Sequence, residues 1–252
     1  MRCRKFKALS SNITLYHGDC LNEMQKIPDK SVDLFTTDLP YGTTQNKWDI
    51  IIPFEPLWVE IKRVLKPKAA AVFTAAQPFT SQLVLSNLDW FKYDLIWQKT
   101  LGSGQLNIKR RALRVHEEIL VFYDGFGTYN EQMTEGKPYK ITRKADDFDG
   151  NYGAQKEHTK INEGVRHAKS VVRIPNPRTK GGHPTQKPVE LFEYIIKTYS
   201  NPGEVVLDCC MGAGTSGEAC INLKRDFTGI DLEEEWFLHS IDRLKNVQMK
   251  LF

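Results

Sequence analysis

Seven short β-rich runs, interrupted by helical patterns, constrain this chain more than any other feature. They are Ile13–Tyr16, Val32–Thr36, Ala70–Thr74, Tyr93–Trp97, Ile119–Tyr123, Val205–Leu207 and Phe227–Ile230, and most are almost continuously apolar. Such runs suit strands buried on both faces. Between them, Phe54–Leu65 carries Leu57, Trp58, Ile61, Val64 and Leu65 at helical spacing. Pro188–Tyr199 opens on a proline suited to a first turn and puts Leu191, Phe192, Ile195 and Ile196 on one face. Glu233–Val247 closes the series with Trp236, Phe237, Ile241 and Leu244. The expected fold is α/β, a doubly wound, mostly parallel, seven-stranded sheet. Ligands bind such sheets at the carboxyl ends of the strands. Four of the runs end near an acidic residue: Asp19, Asp38, Asp208 and Asp231.

A length of 252 residues with 40% hydrophobic and 26% charged residues excludes collagen-like, disordered and coiled-coil classes. It allows one large domain with a sizeable core, or two small ones. Apolar runs fall well short of the roughly 18 residues of a membrane span, and MRCRKFKALS lacks a signal peptide's apolar stretch. The five cysteines show no C-x-x-C spacing. The expectation is therefore a cytoplasmic protein in a reducing setting, with no membrane, no structural zinc and no disulfide framework. Cys209 and Cys210 read as small buried hydrophobes. The scattered histidines lack ligand spacing, so no catalytic metal is expected.

Charge is unevenly placed. Residues 99–180 hold 16 Lys and Arg against 10 Asp and Glu, a local +6, which leaves −2 on the remainder. The stretch begins with Lys99 and includes Lys109, Arg110, Arg111, Arg114, Arg143, Lys144, Arg178 and Lys180. A local basic excess on an otherwise neutral chain is the footprint of nucleic-acid binding. From Asn130 to Gly182 apolar residues are few and no period of 2 or 3.6 is sustained. That segment reads as a surface insertion, either functional or ordered by a partner.

Val205–Gly217 reads as a strand, a glycine turn and a helix start. Gly212, Gly214 and Gly217 satisfy G-x-G-x-x-G, and Asp231 follows at the end of the next strand. The pattern matches a dinucleotide fingerprint, yet Asp208 at the mouth of the turn would repel a diphosphate. It suits a cationic ligand instead. S-adenosyl-L-methionine brings a sulfonium, an ammonium and a ribose that Asp231 can hold. The position of the unit near the C-terminus also argues against a nicotinamide cofactor, because the strands that complete the sheet precede it.

The second site is Thr37-Asp38-Leu39-Pro40-Tyr41-Gly42, directly after a hydrophobic run. Pro40 stiffens the turn, Tyr41 presents an aromatic face, and Asp38 and a backbone carbonyl can accept hydrogen bonds from an amino group. An exocyclic amine on a nucleobase is a poor nucleophile because its lone pair is delocalised into the ring. Two acceptors gripping its hydrogens favour a tetrahedral nitrogen and free the lone pair for attack on a methyl group.

These segments together resemble the amino-methylating (adenine N6 or cytosine N4) DNA methyltransferases of β-type order, whose catalytic motif precedes the cofactor motif. Asp38-Leu39-Pro40-Tyr41 resembles D-P-P-Y, Asp208 to Thr215 resembles D-P-F-x-G-S-G-T, and Gly229-Ile230-Asp231 resembles G-I-E. His183 to Pro188 matches H-P-T-x-K-P, Gly18-Asp19-Cys20 resembles G-D-C, and His116 to Phe122 resembles H-E-x-I-L-V-F. The resemblance implies a Rossmann-like, SAM-dependent methyltransferase domain over residues 1–252, with circularly permuted motif order and a target-recognition insertion at 124–182. It implies catalysis by Asp38, Leu39, Pro40 and Tyr41. Cofactor contacts would come from Asp19, Cys20, Asp38, Thr185, Lys187, Asp208, Met211, Gly212, Gly214, Thr215, Ser216, Asp231 and Leu232. Lys187 would pair with the methionyl carboxylate, supported by Thr185, and Trp48 is a candidate lid over a flipped base. His116 reads as structural. Leu39 replaces a family proline, and Cys209-Cys210 replaces Pro-Phe, so the aromatic packing under the cofactor adenine must be lost or supplied elsewhere.

The resulting expectation is methylation of adenine N6 in double-stranded DNA by base flipping. Alternatives are N4-cytosine methylation, a catalytically silent DNA-binding homologue and, more remotely, an NAD-dependent oxidoreductase. The resemblance makes a homodimer plausible and leaves a cognate restriction endonuclease open as a partner.

Overall fold

A computed structural model describes residues 2–144, 156–177 and 186–247. The chain runs β1 (Arg2–Ala8), β2 (Ser11–His17), α1 (Cys20–Met24), β3 (Val32–Asp38), α2 (Phe54–Val64), β4 (Leu65–Ala75), α3 (Phe79–Leu85), β5 (Phe91–Ser103) and β6 (Arg114–Tyr123). Four short strands follow: β7 (Thr134–Glu135), β8 (Tyr139–Arg143), β9 (His158–Asn162) and β10 (Val165–Arg166). The chain continues as β11 (Val171–Arg173), α4 (Val189–Tyr199), β12 (Val205–Asp208), α5 (Thr215–Asn222), β13 (Asp226–Asp231) and α6 (Glu234–Lys245). Residues 131–169 are one compact unit, and 1–130 with 170–252 are another.

Among the described residues the larger unit holds a nine-stranded sheet in the order β1-β2-β13-β12-β3-β4-β6-β5-β11. All seven apolar runs lie in it as β2, β3, β4, β5, β6, β12 and β13. From β2 through β4 the neighbours are parallel, whereas β6 is antiparallel to both β4 and β5. The two strands beyond the expected seven are the two edges. β1 is RCRKFKA, whose charges keep an edge from pairing onward but hide it from a search for apolar runs. β11 has only three residues and sits parallel to β5.

Side chains on successive residues of a strand point to opposite faces, and two cores result. Leu34, Val72, Val121 and Val206 face the side covered by α4, α5 and α6, with Ile195, Ala219 and Phe237. Phe35, Phe73, Phe122 and Leu207 face α1, α2 and α3, with Met24, Trp58 and Phe79. Each fully buried Phe or Leu contributes roughly 1.5–3 kcal/mol. Burial on both faces explains why these strands read as continuous apolar runs.

In the smaller unit β8 pairs antiparallel with β9, Tyr139 opposite Asn162 and Arg143 opposite His158, and β7 pairs with β10. Most of these residues are exposed. Strands that bury neither face carry no apolar alternation, which is why the sequence shows no period here.

Candidate active site

Because β2, β13, β12 and β3 are parallel neighbours, their carboxyl ends share one edge of the sheet. The order reverses there, with β12 and β3 adjacent but far apart in sequence, which is a topological switch point. A cavity of about 930 Å³ opens at this edge, and Asp19, Asp38, Asp208 and Asp231 all line it.

On one side lies the glycine turn. Gly212 and Gly214 take φ of 50° and 76°, left-handed values that favour glycine. Asp208 is buried, and Oδ1 accepts from the Thr37 hydroxyl at 2.6 Å and from Cys210 N at 3.0 Å, while Oδ2 accepts from Ser216 Oγ at 2.5 Å. Burial still dominates and pushes its carboxyl up to about 6. Asp231 accepts from Gly212 N at 2.7 Å and Glu233 N at 2.9 Å, and burial raises it to about 7. Among the described residues both carboxylates are held by neutral donors only. The site offers two carboxylates with no positive partner among the described residues.

On the other side stands Asp38, at the end of β3. Its Oδ1 accepts from Tyr41 Oη at 2.7 Å and Thr74 Oγ1 at 2.5 Å, and Oδ2 accepts from Lys187 Nζ at 2.7 Å. Lys187 also lies 3.3 Å from Glu117, and Glu117 pairs in turn with Lys99. The four side chains form a row of alternating charge, and Lys187, Lys99 and Glu117 are largely buried in it. Burial would lower the Lys187 ammonium, but Asp38 and Glu117 outweigh it and raise it above the ordinary lysine value. Burial, then the neighbouring Asp38 charge, holds the Tyr41 phenol well above its usual range, so it remains a donor. Its ring stacks on Phe79 at 5.1 Å between centroids.

The loop after Tyr41 is shaped by Asp49. Its carboxylate accepts from Gly42 N, Thr43 N and Thr44 N at 2.8, 2.9 and 2.6 Å. Burial would raise Asp49, yet the Thr44 hydroxyl and these backbone donors prevail and hold it below the usual carboxylate range. This turn carries Trp48 and Ile51 into the cavity lining.

A family profile described as DNA methylase (N6_N4_Mtase) matches residues 32–241. The chain belongs to this DNA methylase family. It is 29% identical over 255 residues to the DNA adenine methyltransferase YhdJ of Escherichia coli (strain K12), covering 92% of this chain and 82% of that protein. It is 26% identical to the type II methyltransferase M.HinfI of Haemophilus influenzae, over 93% of this chain and 69% of the relative. In fold it is similar to the crystal structure of the M1.HpyAVI–SAM complex, with TM-score 0.63, 24% identity and coverage of 92% and 99%. The PvuII DNA methyltransferase (cytosine-N4-specific) gives TM-score 0.68 at 15% identity, over 99% of this chain and 92% of that one.

In this DNA methylase most of the expected site residues share the one cavity. Asp19, Cys20, Asp38, Leu39, Pro40, Tyr41, Lys187, Asp208, Met211, Gly212, Thr215, Asp231 and Leu232 all line it. Ser216 and Gly214 do not. Ser216 is fully buried and holds Asp208 from behind, and Gly214 starts α5 against Ser240, where a Cβ would come within 3.0 Å. Lys187 points at Asp38 rather than standing free for a carboxylate. Thr185, Arg178 and Lys180 lie outside the described residues. Lys99 is not a surface cation, because β5 turns it inward onto Glu117. Arg114 is half-buried, donates to the Gln77 carbonyl at 2.9 Å and lines the cavity. Lys109, Arg110 and Arg111 are exposed in the β5–β6 loop, and Arg143 and Lys144 are exposed in the smaller unit. Thr74 and Asp49 carry no motif of their own, and Glu117 had no role assigned to it, so none of the three was legible as a site residue. The H-E-x-I-L-V-F segment was the one signal available for Glu117.

Proposed function

We propose that this chain transfers a methyl group from S-adenosyl-L-methionine to the N6 amino group of adenine in double-stranded DNA, acting on a base turned out of the helix. The observation that carries the reading is Asp38, at the rim of the same cavity as two unpaired buried carboxylates. The donor set fits the cofactor. Asp231 would hold ribose hydroxyls, and Asp208 with Asp231 would supply the negative field that a sulfonium and an ammonium need. When bound, that group supplies an electrophilic methyl.

A carboxylate has about four acceptor positions, and three on Asp38 are filled by Tyr41, Thr74 and Lys187. One remains, enough for a single amine N–H, and the Leu39 carbonyl would take the other. The amine nitrogen would then become tetrahedral and its lone pair form the new N–C bond as the methyl–sulfur bond breaks with its electron pair left on sulfur, and one N–H proton would leave past Asp38 to solvent. Tyr41, stacked on Phe79, offers its ring to the base. Extrusion of that base costs on the order of a few kcal/mol. Mass analysis of nucleosides from DNA methylated by the chain checks the reading: N6-methyladenine is expected, and N4-methylcytosine or no product would overturn it.

Cofactor affinity should fall with acid. Asp208 and Asp231 titrate near 6 and 7, so they take up protons as pH drops through that window and a cationic ligand loses its partners. Below about pH 6 the affinity is expected to fall by up to roughly tenfold per pH unit for each group protonated. The demethylated product, with a neutral sulfur, should fall less, and isothermal titration at several pH values compares the two. Equal losses would remove the charge argument. Folding responds with the opposite sign. Both groups have raised values in the folded chain, so their contribution to stability is complete below the usual carboxylate value and is lost as pH rises through about 6 to 7.

DNA phosphates would be met by Lys109, Arg110 and Arg111, with Arg143 and Lys144 and the undescribed Arg178 and Lys180 as further contacts. Changing the first three to Ala should make the slope of log affinity against log salt shallower by about 2 to 3. An unchanged slope in a salt titration would move the DNA to another face. The proposal extends to residues 124–182 as the target-recognition segment of a single catalytic domain. A cognate restriction endonuclease is a proposed partner, a reading favoured by the type II relatives, and a second copy of the chain is a further candidate.

A further inference from the structure

Three thiols meet in the wall of the cavity. Cys20 comes from the first turn of α1, and Cys209 and Cys210 from the turn after β12. Their Sγ atoms all lie within 4.8 Å of one another, with Cys209 and Cys210 3.9 Å apart. Three thiolates bound tetrahedrally at about 2.3 Å from zinc stand roughly 3.8 Å from each other. The cluster is therefore near that spacing before any rotamer changes. Cys20 and Cys209 are buried and Cys210 is half-buried, yet all three border the cavity, which gives an ion a path in. The ligand set contains sulfur alone, and thiolates select soft d10 cations over magnesium or calcium.

We infer that Cys20, Cys209 and Cys210 form a binding site for a single thiophilic metal ion, of the zinc, cadmium or copper(I) class, in the wall of the catalytic cavity. The three thiols release their protons to solvent as the sulfurs take the ion. No oxidant is needed, and the site is read by metal binding alone, without cofactor or DNA present.

The test is a titration of the reduced, chelator-treated full-length chain with cadmium, followed by thiolate-to-metal charge-transfer absorption in the ultraviolet. The band should saturate at one ion per chain, and cadmium, the softer ion, should raise it to the same endpoint in a chain first loaded with one equivalent of zinc. Cys20→Ser and Cys210→Ser should each weaken binding at least about tenfold, given that loss of mere outer-sphere support already costs that much. Cys3→Ser and Cys220→Ser should leave it unchanged, since neither belongs to the cluster. Circular dichroism of each variant checks folding, and Cys210, half-buried, tolerates Ser most readily. Absence of a saturating band would overturn the site, as would a band retained in a folded Cys20→Ser or Cys210→Ser chain.

Discussion

Methyl transfer by an Asp38→Asn variant is expected to be slower by on the order of 10² to 10³-fold, with the fold intact and cofactor binding nearly unchanged. Asparagine keeps the shape of Asp38, and its amide oxygen can still accept from Lys187 at the position of Oδ2. Its NH2 would then stand where Oδ1 accepts from Tyr41 and Thr74. Donors would face donors, and the one acceptor position left for the substrate amine, on the oxygen that faces Lys187, would belong to a neutral amide rather than to a carboxylate. Losing one preorganised partner of a reacting group costs about 2.7–4 kcal/mol in the transition state. The amine would keep its lone pair in the ring. Single-turnover transfer of a labelled methyl group measures the rate, and equilibrium dialysis with the cofactor measures binding. Wild-type turnover would remove Asp38 from the mechanism. A parallel loss of cofactor affinity would reassign it to binding.

Lys187→Met should destabilise the chain by about 3–5 kcal/mol, the cost of leaving buried partners of a removed charge uncompensated. Lys187 is the cation between Asp38 and Glu117, and its side chain is 8% exposed. Methionine restores most of the stem volume, so the loss reports charge rather than packing. Asp38 keeps only the Tyr41 and Thr74 hydroxyls, and Glu117 keeps only Lys99. Adding Glu117→Gln to this variant removes one of the uncompensated charges and should recover part of the loss. Denaturant unfolding of the single and double variants measures the difference. No recovery in the double variant would mean that packing, not the charge row, is at stake.

The sheet and its functional edge were legible because their signals are local. A strand buried on both faces must be apolar along its whole length, and all seven such runs are strands. Asp38, Asp208 and Asp231 were legible for the same reason, each standing where an apolar run stops and a turn begins. The edges β1 and β11 and the strands of residues 131–169 were not. An exposed strand answers to backbone pairing with a distant segment, and pairing leaves no pattern in side-chain hydropathy.

Amino-acid order alone also set which chemistries could appear at the site: a glycine turn for a close approach, carboxylates for a cation and for an amine, and an aromatic ring for a planar base. Charges were less well placed by sequence. Lys99 counted toward a basic surface, yet lies inside the fold against Glu117. Lys187 was matched to a carboxylate of the cofactor, yet sits on Asp38. The three thiols, at positions 20, 209 and 210, look unrelated along the chain. Ligand spacing in sequence detects only clusters that one turn can gather, whereas here the parallel packing of β2, β13 and β12 brings a first turn and a late turn together. Sequence determined the strands and the residue types at their ends. Tertiary structure decided which ends are neighbours, because parallel pairing joins segments far apart in the chain, and with that it decided which charges neutralise one another and which remain for a ligand.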